Sequence, residues 1–313
     1  MDEKDSEYLT TSQAAVLLGV HESSVKRWSN AGELAIEKTS GGHRRIRLEA
    51  LLSLAHLRAG GSDSFDLLAF APHDEEVARA ALDAREHGDF DALRELILRF
   101  CDTRPPVWLS RLLAYLQSPL GLPLSRIFDA GVAAALADVG REWQVGARTI
   151  ALEHRFSQKI LDALHAVLIG HAASLGDALV DDERPRAVLG CAEGCHHEIG
   201  GLMARIMLER AGWNVTYLGA NVPYEEIAGI QELERSQLVC VSFAPPLGAS
   251  DARRCLKVLN ALRRPEAPYR MVIGGLPRIE GGVETHESEL PISFFSSMES
   301  FERWLRGAAW NPT

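Results

Sequence analysis

His197-Glu198-Ile199-Gly200 places an imidazole just before a helix that should start near Ile199, after the apolar run Ala187-Val188-Leu189-Gly190. In an open α/β sheet, a histidine at the C-terminal mouth of a strand sits in the crevice where ligands bind, and its neutral ring can give a nitrogen to a metal. Gly200 leaves the helix start bare, so a large planar ligand could approach the backbone while Leu202, Ile206 and Leu208 pack inward. The same stretch supports a rival chemistry. Cys191, Cys195, His196 and His197 offer thiolates and imidazoles to a soft metal, although Cys-x-x-x-Cys-His-His is not a usual zinc spacing and Cys191 falls in an expected buried strand. A second constellation lies upstream: Trp143 is followed, after nine residues, by Glu153-His154. Gly146 marks a loop between two helices and Thr149 can cap the second, so this spacing can gather indole, carboxylate and imidazole.

Three kinds of segment must position these groups. From Arg184 onward, short apolar runs at 187–191, 215–219, 238–243, 271–274 and 292–295 alternate with helical stretches near 199–211, 223–234 and 250–263. That alternation predicts a parallel, doubly wound sheet whose strand ends bring His197, Ser242 and Gly274-Gly275 together. Between Phe65 and about Leu175 the pattern is helical, over 74–87, 89–100, 107–116, 124–143 and 149–175. Apolar residues such as Ile127, Ala130, Val132, Ala135, Leu136 and Val139 recur every three or four positions, which predicts a four-helix bundle.

Residues 8 to 59 read as a helix-turn-helix unit. Thr11 or Ser12 can cap a first helix running through Leu18, Gly19 turns, and a second helix spans 22–30 with Gly32 beyond it. Ala14, Ala15, Leu18, Val20, Val25 and Trp28 would form the shared core, leaving Ser23, Ser24, Lys26 and Arg27 facing a groove. Leu34-Ala35-Ile36 and Arg45-Ile46-Arg47 then flank a loop whose Gly41 and Gly42 permit positive φ, making a wing that carries His43, Arg44 and Arg45. The expected organisation is 1–59 DNA-binding, 60–64 a small, polar linker, 65–178 the bundle and 179–313 the sheet domain.

Composition bounds the function classes. The length suits about two domains, or three with one small, and no apolar stretch reaches the roughly 18 residues of a membrane span. The acidic start Met1-Asp2-Glu3-Lys4-Asp5 is unlike a secretory signal, so a cytoplasmic protein is expected. Five cysteines at irregular spacing argue for reduced thiols. The net charge of −10 hides a local excess: 21–47 holds six Lys or Arg against three Glu, a net +3 that leaves −13 elsewhere. A basic patch on an acidic chain is the footprint of one small module that meets phosphates.

The N-terminal segment resembles the winged helix of the MerR family of transcription regulators, most clearly in Gly41-Gly42-His43-Arg44-Arg45. The C-terminal segment resembles the cobalamin-binding domain of methionine synthases and B12-dependent mutases. That resemblance implies His197 as the lower ligand on cobalt, in an Asp-x-His-x-x-G pattern whose glycine is Gly200, with Ser242, Gly274 and Gly275 lining the tail pocket. Cys195 stands where that family has a carboxylate, which would orient the imidazole. With the bundle between them, the whole chain resembles the CarH-type light-dependent repressors. Their Trp-x9-Glu-His motif, here Trp143, Glu153 and His154, caps the upper adenosyl group. Gln144 departs from the histidine that family members bring to cobalt after light, so the light state would take water or His154 instead.

The resemblance implies a regulator without enzymatic activity that uses adenosylcobalamin, assembles in the dark as a homo-tetramer on operator DNA, and lets go in light. Genes of carotenoid synthesis are the implied targets. Two alternatives stand beside it: a light-independent cobalamin-binding regulator and a cobalamin methyl carrier for a methyltransferase.

Overall fold

The computed structural model describes residues 8–58, 74–118, 120–175, 184–276 and 291–307. The expected linker at 60–64, the start of the bundle at 65 and the boundary at 178–179 lie outside the described residues. Two compact units are formed, Met1–Ala163 and Leu164–Thr313. Among the described residues no helix is long and apolar enough to cross a membrane.

The head is built from β1 (Tyr8–Leu9), α1 (Thr11–Leu17), α2 (Glu22–Asn30), β2 (Glu37–Lys38), β3 (Arg44–Arg47) and α3 (Leu48–Arg58). Thr10, one residue earlier than expected, caps α1. Its hydroxyl accepts from Gln13 N at 3.2 Å while Gln13 Oε1 accepts from Thr10 N at 2.7 Å, a reciprocal box that Thr11 and Ser12 cannot form. The second helix begins and ends as expected, and Gly19 turns between the helices at φ 64°.

The wing differs from expectation. Leu34 is buried and its amide donates to Trp28 O at 3.2 Å, closing the end of α2, so the hairpin arm is Glu37–Lys38 instead. Register pairs Glu37 with Arg45 and Lys38 with Arg44, while β1 pairs on the other side of β3, Leu9 opposite Ile46. Of the two wing glycines, only Gly42 uses positive φ, 81°.

The helical region follows with α4 (Asp74–Glu86), α5 (Asp91–Thr103), α6 (Pro106–Gln117), α7 (Leu124–Arg126), a π-helical stretch Ile127–Ala133, α8 (Ala134–Gln144) and α9 (Ile150–Leu175). The helix expected over 124–143 is thus interrupted by a wider turn. Gly131 lies in it, where an added Cβ would come within 3.1 Å of Ile97 Cδ1, so α5 packs directly onto backbone. The head is anchored to this region: the buried Tyr115 of α6 donates its hydroxyl to Leu17 O at 2.9 Å.

In the second unit β4 (Arg186–Cys191), α10 (Ile199–Arg210), β5 (Asn214–Gly219), α11 (Tyr224–Glu234), β6 (Leu238–Ser242), α12 (Ala249–Ala261), β7 (Arg270–Gly274), β8 (Ile292–Phe295) and α13 (Met298–Gly307) follow in order. The five strands are parallel in the order β5-β4-β6-β7-β8. Every residue of β6 is buried, as a central strand covered on both faces requires. Val188, Val239, Val241, Met271 and Ile273 pack with Ile227 of α11 and Leu256 and Leu259 of α12. Leu202, Ile206 and Leu208 of α10 are buried as expected. The chain leaves β4 toward β5 and later returns to β6 on the other side, which makes the C-terminal ends of β4 and β6 the switch point of the sheet.

Candidate cofactor site and nucleic-acid interface

The loop from Ala192 to Glu198 leaves β4 at this switch point and carries His197 exposed. Cys195 is buried, and its thiol turns onto His197 O at 3.6 Å, so it holds the loop's backbone. Glu198 opens α10 and receives the Tyr217 hydroxyl, 3.4 Å from both its carbonyl and its Oε2. Ser242 closes β6 in register with Cys191 on one side and Gly274 on the other. A Cβ on Gly200 would lie 3.4 Å from Ser242 Oγ, so helix start and strand end are brought together with only glycine between them.

Gly275 is demanded by backbone. Its φ is 85°, and a Cβ there would fall 2.0 Å from Phe243 O, so no other residue fits unless β6 or β7 shifts. The sheet thus gathers Gly200, Ser242, Gly274 and Gly275 at one edge, with the His197 loop beginning there. An exposed imidazole, a bare helix start and a glycine pair suit a bulky ligand that takes one nitrogen from the protein.

The cysteine-rich alternative fits less well. Cys191 is fully buried in β4, and burial pushes its thiol up to about 12, so making a thiolate of it there carries a desolvation cost. Among the described residues no group of three or more His, Cys, Asp or Glu is arranged to hold a metal ion. A cobalt ion already held by a corrin ring would need only one protein nitrogen, so His197 alone suffices for that ligand.

Trp143, the last residue but one of α8, has 47% of its surface exposed, unusual for an indole. Gly146, at φ 74°, donates to Trp143 O at 3.0 Å and turns the chain toward α9, where Thr149 Oγ1 accepts from Leu152 N at 3.3 Å as a cap. Arg148 fastens this turn. It bonds Glu142 at 2.8 Å and grips both Asp102 oxygens on α5 at 3.0 Å, which holds the Asp102 carboxyl below the usual carboxylate range. On the first turns of α9, Glu153 accepts from Ser157 at 2.7 Å and lies 2.5 Å from His154 Nδ1. Glu153 and His154 are therefore brought together, and a fixed turn joins them to Trp143. Val145, Ile150 and Leu152 add further exposed apolar surface around this turn.

On the head, Lys26, Arg27 and His43 are exposed, while Ser24, Arg44 and Arg45 are half-buried. Ser23 shares the α2 cap, its hydroxyl 2.8 Å from His21 Nδ1. Lys26 pairs with Glu22 at 3.0 Å, and the Arg45 guanidinium lies 4.8 Å over the Tyr8 ring. Arg44 donates to Asn30 Oδ1 at 2.8 Å and so ties the wing to the last residue of α2. Tyr8 and Asn30 were not expected in this interface; Tyr8 reaches Arg45 only through the pairing of β1 with β3, which leaves no local mark in the sequence. Exposed pairs of this kind contribute little to stability, so phosphate can replace them.

A helix-turn-helix domain model matches residues 8–56 and a B12 binding domain model matches 185–281. The HTH-type transcriptional repressor CarH of Myxococcus xanthus is 29% identical over 307 residues, 93% of this chain and 95% of that protein. The similarity to CarH thus runs nearly end to end. HTH-type transcriptional repressor CarA of the same organism is 40% identical over 92 residues, 29% of this chain and 31% of that protein. Among solved structures, the monomethylamine corrinoid protein of Methanosarcina barkeri aligns with a TM-score of 0.48 at 16% identity, covering 68% of this chain and 95% of that one.

In this chain the matched helix-turn-helix domain contains α2 and the wing, and the matched B12 binding domain contains His197, Gly200, Ser242, Gly274 and Gly275. The helical region carrying Trp143, Glu153 and His154 lies between the two matched segments.

Proposed function

We propose that this chain is a transcription repressor that binds adenosylcobalamin and holds operator DNA in the dark, releasing it in light. The observation that carries this reading is the end-to-end similarity to CarH, with a helix-turn-helix domain and a B12 binding domain at opposite ends. The head makes it a regulator, not an enzyme, and carotenoid-synthesis genes are its proposed targets.

His197 gives its imidazole nitrogen to cobalt from the loop after β4, while Gly200, Ser242, Gly274 and Gly275 receive the cofactor's tail. Trp143 offers an apolar face to the adenosyl group, and Glu153 and His154 provide polar partners for its ribose or amine. When bound, adenosylcobalamin supplies a cobalt–carbon bond that visible light breaks. The protein's part is to couple occupancy around Trp143 to self-association. One head with a few phosphate contacts binds weakly, and several heads joined in a tetramer gain through effective concentration. Ser23, Ser24, Lys26 and Arg27 face the groove from α2, and His43, Arg44 and Arg45 from the wing.

Cys195 and Gln144 favour a second reading, a cobalamin-dependent regulator that ignores light. Size-exclusion chromatography with absorbance detection separates the two, run on protein loaded with adenosylcobalamin in darkness and again after green light. A large dark species that carries the cobalamin spectrum and falls apart on illumination is the expected result. Binding with no change in size supports the second reading, and absence of cobalamin binding overturns both.

A further inference from the structure

The loop that carries His197 is held from across the sheet edge by a residue in the turn after β5. Asn221 sits there with φ 51°, in the left-handed region that few side chains tolerate. In this conformation its backbone amide donates to Cys195 O at 2.8 Å, and its side-chain Oδ1 accepts from Gly194 N at 2.7 Å. Its neighbour Val222 donates to Cys191 O at 3.1 Å, and inside the loop Cys195 N donates to Ala192 O at 2.8 Å. Four hydrogen bonds therefore fix the chain from Cys191 to Cys195. On the far side of His197, Leu202 N donates to Glu198 O at 2.8 Å and fixes the first turn of α10. His196 and His197 are the exposed residues between two pinned ends.

We propose that Asn221 is a positioning residue for His197, setting the imidazole in place through the backbone of its loop. This rests on the reading of His197 as a cobalt ligand. Two requirements meet at position 221: left-handed φ and a short side-chain acceptor. Glycine meets the first only, most residues meet neither, and asparagine or aspartate meets both. The need for such a clamp follows from Cys195. A carboxylate behind a ligating histidine orients the ring directly, but here the side chain two residues before His197 is a thiol turned onto His197 O. Orientation must then come from the main chain, and a ligand group held in advance loses less freedom when it binds.

The test uses the full chain, with cob(II)alamin as the probe, in the parent, Asn221→Gly, Asn221→Asp and His197→Ala proteins. Affinity is read from absorbance titration. Histidine ligation is read from the nitrogen splitting of the cobalt resonance in 15N-labelled protein, which a merely structural role would leave alone. Asn221→Gly keeps the backbone conformation and removes the acceptor. It should weaken binding about 10- to 100-fold, as loss of an orienting partner does at metal sites, and lower the fraction of cobalt showing protein nitrogen. Asn221→Asp should restore both.

Thr216→Val is the structural control, because it removes from β5, the strand before Asn221, a hydroxyl bonded to Glu234 of α11 at 2.8 Å and should change thermal stability without changing ligation. Full affinity and full histidine ligation in Asn221→Gly would falsify the proposal, as would equal loss of ligation in Thr216→Val. Identical spectra for parent and His197→Ala would instead remove His197 as the ligand, and with it the role given to Asn221.

Discussion

The crevice at the sheet edge and the DNA-reading head reach their chemistry by opposite means. Around His197 each decisive contact has main chain on at least one side: Gly275 packed on Phe243 O, Gly200 against Ser242 Oγ, and the hydrogen bonds that Asn221 and Val222 make to the loop. On the head the decisive groups are flexible side chains, with Lys26, Arg44 and Arg45 resting on Glu22, Asn30 and Tyr8. A site made of backbone is preorganised and intolerant of added atoms. One made of surface cations adapts to its partner and is weakened by salt.

The sharpest way to break this contrast is Gly275→Ala. A methyl 2.0 Å from Phe243 O at positive φ should cost about 2–5 kcal/mol, combining left-handed strain with overpacking, and a urea titration would read it. An unshifted midpoint would mean that the strand ends yield easily. Next in size is His197→Ala, expected to lower cobalamin affinity about 10- to 100-fold or more, since ligand loss should exceed loss of an orienting partner. Unchanged absorbance and affinity would exclude it.

On the head, Arg44→Ala with Arg45→Ala should weaken operator binding and reduce the slope of log affinity against log salt by about 2, roughly 0.9 per lost phosphate contact. An unaltered slope would remove the wing from the interface. The smallest effect belongs to Glu22→Gln, which breaks an exposed pair and should leave the thermal unfolding midpoint where it was while freeing Lys26. A clear loss of stability would show that the head's surface pairs are structural after all.

What could be read from sequence follows the same division. The sheet was legible because a covered parallel strand must be apolar throughout: 292–295 matches β8 in full, and each of the other four strands differs by one residue at one end. His197, Ser242 and the glycine pair could be placed because strand ends in such a sheet define the crevice. The head was legible as two helices, but its strands are two to four residues long, too short for alternation to register, and Leu34 had an apolar job that mimicked a strand. The π-helical stretch left no mark because Ile127 to Val139 keeps an apolar rhythm through it. Helix α13 went unnoticed at the end of the chain despite Phe301 and Trp304. Asn221 was missed because a clamp of this kind resides in φ and a carbonyl; its one trace is an asparagine between small residues and Val222-Pro223.

The hydroxyl of Tyr115 on Leu17 O has a consequence for how DNA is measured out. The turn of the head supplies its own donors for Ala14 O, Ala15 O and Val16 O, and the last of the series is met by the neighbouring helical region. The head is thereby a fixture, not a bead on a string. Paired heads on a flexible tether accept any half-site separation within reach, whereas docked heads inherit theirs from the geometry of the assembly. Under the proposed assembly such a protein would act as a ruler, and inserting half a helical turn between half-sites should defeat it even with every base intact.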